Sequence, residues 1–213
     1  LGLEQARLEQ QLLAPKSAYL DYEAFNRSVL STLMDSEALR AFLRETNTEF
    51  RNDTLGLRIQ QSIRSLSNTE LTFVALAVVQ PDGEPAYYFE SSLSPFATMS
   101  ATQQEAARQA RASSAPRRTV YAGQADGGPL LLNTDFILAQ TSTRPLPSQR
   151  GEAFAVQLAV RPERFIRLKQ SLEREYGAAV EIAAQPMPAE SELSATISLS
   201  RGLHARLTPA AHY

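Results

Sequence analysis

The feature that most limits what this chain can fold into is a change of hydrophobic period at Leu71. Up to Leu66 apolar residues return every three or four positions, the spacing that gives a helix one buried stripe. From Leu71 the stretch LTFVALAVVQ is rich in β-branched and aromatic residues and stops at the turn signal Pro81-Asp82-Gly83. A first third that is helical, followed by extended segments, predicts an α+β domain with a helical N-terminal stalk. The 213 residues are enough to bury a core without metal or disulfide staples, and 43% hydrophobic content is that of an ordinary globular chain.

Within the first third, Leu1, Leu8 and Leu12 share one face, and Pro15 is expected to break the helix because it lacks an N–H and disfavours helical geometry at Ala14. A second stripe runs through Leu20, Phe25, Val29, Leu33 and Met34. A third, Leu39, Phe42 and Leu43, is capped by Asp35 or Ser36, and a fourth, Leu55, Ile59, Ile63 and Leu66, by Asp53 or Thr54. These stripes read as core contacts.

After Leu71 the turn at Pro81 returns the chain along Pro85–Ser91 as a hairpin. Ser100 with Gln103 three residues on is a capping box opening the helix TQQEAARQARA. Extended segments follow at Arg117–Ala122, Pro129–Thr141 and Ala153–Val160, giving five strands. Pro162 at the first helical position and Gly177 just past the end bracket PERFIRLKQSLEREY. Short strands at Ala178–Ala184, Leu193–Leu199 and Leu203–Leu207 close the chain around the loop MPAESE. The expected organisation is a helical stalk and lead-in over 1–66, a sheet-bearing module over 67–176 and a C-terminal extension over 177–213.

Several chemistries lack candidate residues. Without cysteine there is no disulfide, thiolate metal site or Cys nucleophile, and the two histidines, His204 and His212, both fall near the end at no ligand spacing. No metal or cofactor is expected, no general base can be named for a serine nucleophile, and the fragment reads as a non-enzyme. With 21 Lys+Arg against 23 Asp+Glu there is no basic field for nucleic acid. The longest apolar run, Phe73 to Val79, is about a third of a membrane span. The chain opens on Leu1 inside a helical pattern, as an excised piece of a longer protein would. Two lysines among the 21 basic residues suggest a GC-rich bacterial source.

The segments DSEALRAFL (35–43), LTFVALAVVQPDGEPAYYFE (71–90), RTVYAGQADGGPLLLNTDFIL (118–138) and GEAFAVQLAVRPERF (151–165) carry a resemblance in element order. The chain resembles the Cache family, the PAS-like extracytoplasmic sensor domains of bacterial transmembrane receptors. The resemblance implies a five-stranded antiparallel sheet with the N-terminal helix along one face. It puts a small-molecule pocket on the other face, roofed by residues 91–116. It further implies a periplasmic domain of an inner-membrane protein, set between two membrane spans and driving a diguanylate cyclase, phosphodiesterase, histidine kinase or chemoreceptor module. The amino-acid-binding signature of that family is half present: Arg118 is followed by Tyr121-Ala122, and Asp135 is preceded by Asn133. No amino-acid ligand is therefore implied, although Arg118, Tyr121 and Asp135 fall where pocket residues are expected.

The residues themselves add to this. Tyr87 and Tyr88 are adjacent on a strand, so they face opposite sides, and one of them is a pocket-lining candidate with a ring to pack and a hydroxyl to bond. Arg117 and Arg118 have the planar fork that holds a carboxylate. Asp135 interrupts the apolar run LLLNTDFILA, where a carboxylate needs a partner. A nearby Arg would make it either a structural ion pair or half of a ligand clamp. The alternative function is a periplasmic protein-interaction or dimerisation module without a ligand, and a homodimer through the N-terminal helix is expected in either case.

Overall fold

The computed structural model describes residues 2–66, 72–90, 99–113, 118–125, 128–183, 195–200 and 203–209. Leu1, Arg117, the Asp126-Gly127 turn, the MPAESE loop and His212 lie outside them. The fold is α+β, with a long N-terminal helical region and antiparallel sheets.

Helix α1 (Gly2–Gln11) gives way to α2 (Leu13–Asp35) at Leu12, not at Pro15. Pro15 lies in the first turn of α2, where a missing N–H leaves no intrahelical acceptor unpaired, and the next residue, Lys16, donates to the Leu12 carbonyl at 3.0 Å. The Ser36 hydroxyl accepts from the Leu39 N–H at 3.2 Å and caps α3 (Glu37–Arg44). The following helix starts earlier than Asp53. Asn47 caps α4 (Thr48–Phe50), which runs through a π-turn, Arg51–Leu55, into α5 (Gly56–Leu66), with Leu55, Ile59 and Ile63 all buried. Leu20 and Phe25, expected in the core stripe, are exposed instead, and Tyr19, Tyr22 and Asn26 are buried on that helix.

The chain divides into two compact units, residues 25–161 and residues 1–24 with 162–213. The first holds strands β1 (Thr72–Val79), β2 (Pro85–Glu90), β3 (Arg118–Ala125), β4 (Gly128–Ile137) and β5 (Phe154–Arg161) in one antiparallel sheet of order β2-β1-β5-β4-β3. The β1–β2 turn holds Gly83 at φ 97°, a conformation open to glycine, and the Asp82 carboxylate accepts from the Glu84 N–H at 3.0 Å. Strand β4 stops at Ile137, short of Thr141, because a tight turn with Ser142 at φ 54° brings Thr143 back against Leu138.

One face of this sheet is floored with small residues. Ala75, Ala77, Ala155 and Ala159, with Leu132 and Phe136, pack against Ala106, Ala107 and Ala110 of α6 (Ala101–Ala112). Alanine facing alanine lets the helix axis approach the sheet closely. On the opposite face Tyr87 packs against Phe42 of α3, their ring centroids 5.3 Å apart.

The second unit has α1 and the start of α2, α7 (Glu163–Tyr176), and strands β6 (Ala178–Ala183), β7 (Ala195–Ser200) and β8 (Leu203–Pro209) in the order β6-β8-β7. Its core joins Leu8 and Leu12 to Leu172, Val180, Ala195 and Leu207. Pro162 is the N-cap of α7 rather than its first residue, and Gly177 ends it in the left-handed region at φ 55°.

Candidate ligand site beneath helix α6

Strand register sorts the five candidate site residues into rows. Tyr88 pairs with Ala77, Ala77 with Gln157, Gln157 with Thr134, and Thr134 with Arg118, so one row crosses all five strands with Tyr88 at one end and Arg118 at the other. The next row, Tyr87, Val78, Val156 and Asp135, faces the other way. Tyr121 stands opposite Leu131. Arg118 and Tyr121 are thus placed by register alone. The two edge positions, Tyr88 and Arg118, are four strand spacings apart, roughly 19 Å of backbone.

The centre of the Tyr88 row is polar and buried. Gln157 Nε2 donates to the Gln103 carbonyl at 3.0 Å and to Thr134 Oγ1 at 3.3 Å, and both Gln157 and Thr134 are about 1% exposed. The Tyr88 hydroxyl donates to Gln103 Oε1 at 3.2 Å, the same oxygen that accepts from the Ser100 N–H at 3.0 Å. Burial, and the charge of Glu90, raise the Tyr88 hydroxyl above its ordinary pKa against the Gln103 hydrogen bond, so it stays a neutral donor. Gln157 Oε1 is buried and has no hydrogen-bond partner among the described residues. An orphaned carbonyl in a low-dielectric seam asks for a donor.

Helix α6 is fastened at both ends around this cluster. At its start, Ser100 and Gln103 close the capping box. At its end, Arg150 Nη1 donates to the Ala110 carbonyl at 3.4 Å and to the Ser113 carbonyl, while Arg111 donates to Ala153 at 2.8 Å and Gln80 at 3.1 Å. Both guanidiniums lie over the Phe136 ring, 5.2 and 5.4 Å from its centroid. Burial lowers the Arg111 pKa and the Asp82 carboxylate counters it. Between α6 and the β1–β2 turn a cleft of about 380 Å³ is lined by Val79, Asp82, Glu105, Ala107, Arg108 and Arg111. Its charges are occupied: Arg108 holds Glu105 at 2.7 Å, which with Gln109 draws that carboxyl down to about 2.

Asp135 does have an arginine partner. Arg144 Nη1 lies 3.2 Å from Asp135 and its Nη2 lies 3.6 Å from Asp35 at the end of α2, while Asp135 Oδ1 accepts from the Phe136 N–H at 2.9 Å. One cation between two carboxylates ties helix to sheet. Tyr87 is held likewise: its hydroxyl meets Gln60 Nε2 at 2.5 Å and its ring abuts Gly56, and burial raises its pKa.

The sequence reading missed Gln157 and Thr134 and took Gln103 only as a cap. A signal was present, because Gln157 is the one polar residue inside FAVQLAV, just as Asn133-Thr134-Asp135 interrupts an apolar β4. Arg111 and Arg150 left no such signal; they bond to carbonyls distant in sequence.

No protein-family profile matches the chain. It is similar to the biofilm architecture maintenance protein MbaA of Vibrio cholerae, with 25% identity over 195 residues, 91% of this chain and 25% of that protein. The chain therefore spans about a quarter of the length of the curated relative it matches.

Proposed function

We propose that this chain is the periplasmic sensor domain of a bacterial membrane-bound signalling protein, whose small polar ligand is taken up where α6, shifting from its close contact with the sheet, uncovers the Gln157 oxygen. The observation that carries the reading is the Tyr88–Gln103–Gln157–Thr134 network, in which the Gln157 oxygen has no hydrogen-bond partner among the described residues. Ligand donors that satisfy this oxygen add hydrogen bonds at a site already desolvated, and the Gln103 they adjoin is the cap of α6. Occupancy is thereby passed to the helix.

Three further facts support the reading: the similarity to the biofilm protein over nearly the whole chain, the resemblance in element order to Cache sensors, and the five-stranded antiparallel sheet with α6 between β2 and β3. In this reading the chain does no bond chemistry. In the same reading membrane spans flank the domain in the full-length protein; no helix of the described residues is long and apolar enough to cross a membrane. The output is a cytoplasmic diguanylate cyclase, phosphodiesterase or histidine kinase, and the relative's name points to biofilm architecture as the process controlled.

A thermal-shift screen of carboxylates, amines and small peptides tests this. A ligand should raise the melting temperature of the native chain, and Gln157→Leu should abolish that shift while leaving the unliganded chain folded. If no compound stabilises the chain, or if Gln157→Leu responds as the native chain does, the site beneath α6 is not the sensor.

A further inference from the structure

The homodimer seam expected at Leu1, Leu8 and Leu12 is taken up differently: Leu8 and Leu12 are buried inside their own unit. The solvent side of the same helices carries a second stripe. It runs from Leu3 through Ala6, Gln10, Leu13, Ser17 and Leu20 to Ala24, all exposed, with Leu3 at 91%, Leu13 at 53% and Leu20 at 41%. The spacings are 3, 4, 3, 4, 3 and 4, the alternation of heptad a and d positions. No charge interrupts it, although Glu4, Arg7, Glu9, Lys16 and Asp21 stand beside it. Scattered exposed leucines are ordinary, but seven phased positions without a charge are a seam.

We infer that this stripe is the interface with a second copy of the chain, in a parallel, in-register two-helix pairing. Three properties select that occupant. A 3.5-residue repeat closes best on an equal repeat, and the chain supplies one. Gln10 at an a position meets its own copy across a parallel axis, where each amide both donates and accepts. Lys16 and Asp21 flank the seam at g and e positions five residues apart, so in parallel register the Lys16 of each copy faces the other's Asp21. An antiparallel pair would oppose g to g and lose that match. Among the described residues Asp21 has a loose 3.8 Å contact with Arg164, and its side chain is 68% exposed.

The pairing stands independently of the ligand reading and is tested on the 213-residue chain. In sedimentation velocity the native chain should be a dimer. Leu13→Arg with Leu20→Arg should be a monomer of unchanged circular dichroism, since both side chains face solvent within one chain, and should melt below the native dimer at a temperature that no longer depends on protein concentration. Lys16→Glu should weaken the dimer by roughly twofold to fivefold, and adding Asp21→Lys should restore it. Because the chain has no cysteine, Gln10→Cys introduces a unique thiol that should cross-link on oxidation, while Gln5→Cys, off the seam, should not. A native chain that stays monomeric overturns the inference and leaves the stripe to a different partner. So does a double-arginine variant that still dimerises, or equal cross-linking at Gln5 and Gln10.

Discussion

Gly56 and Tyr87 show how one residue's absence of a side chain sets another's position. A Cβ at Gly56 would sit 2.8–2.9 Å from the Tyr87 ring and hydroxyl, closer than real contacts allow, and the ring is backed by Phe42 and tethered by Gln60. Gly56 is helical, so alanine would gain about 1 kcal/mol in propensity. The overpacking costs roughly 1–3 kcal/mol. Gly56→Ala is expected to lose stability in urea unfolding, and the same substitution in a Tyr87→Leu chain to gain it. That reversal identifies the ring as the obstacle rather than the backbone.

Among the elements, α6 has the most conspicuous fastening. Its own burial is modest, because alanines remove little apolar area, so its caps weigh more than usual. Ser100→Ala removes the acceptor for the Gln103 N–H at 3.3 Å and should cost about 1 kcal/mol by denaturant unfolding. It should also free the Gln103 side chain from the box. If α6 reads the site, ligand-induced stabilisation falls in this variant; an unchanged ligand shift would separate the helix start from ligand recognition.

At the scale of the molecule, the second unit is assembled from the two ends of the chain. Leu12, fully buried among α7 and the C-terminal strands, is its N-terminal contribution. Leu12→Ala is expected to cost about 2–5 kcal/mol locally. Hydrogen exchange should rise across β6, β7 and β8 while β1, β4 and β5 keep their protection; uniform loss would mean that the units unfold as one. Alkaline stability is also a property of the whole. Tyr22, Tyr87 and Tyr88 all have raised pKa values, with burial the first cause. In the unfolded chain tyrosine loses its proton near pH 10, whereas the folded chain holds it. Stability is therefore full below about pH 10 and falls as pH climbs through the raised values. Tyr22→Phe should flatten the fall of melting temperature over that range.

The sequence alone determined what depends on neighbours in the chain. The change of period at Leu71 marked where helices yield to strands. Ser100 with Gln103 set the start of α6, Gly177 the end of α7, and Pro81-Asp82-Gly83 the first hairpin, because caps and turns are local hydrogen-bonding and φ requirements. Where a local rule had competition it misled: Pro15 reads as a break but sits harmlessly in a first turn, and Asn47 takes the cap that Asp53 or Thr54 offered. Tertiary structure alone decided which residues meet. Register across five strands set Tyr88, Gln157, Thr134 and Arg118 in one row, and turned Tyr87 and Asp135 to the other face, where Gln60 holds the first and Arg144 the second. It also buried Leu8 and Leu12 against strands from the far end of the chain, leaving Leu3, Leu13 and Leu20 outside. Periodicity shows that a helix has an apolar side; which side is covered depends on what folds back against it.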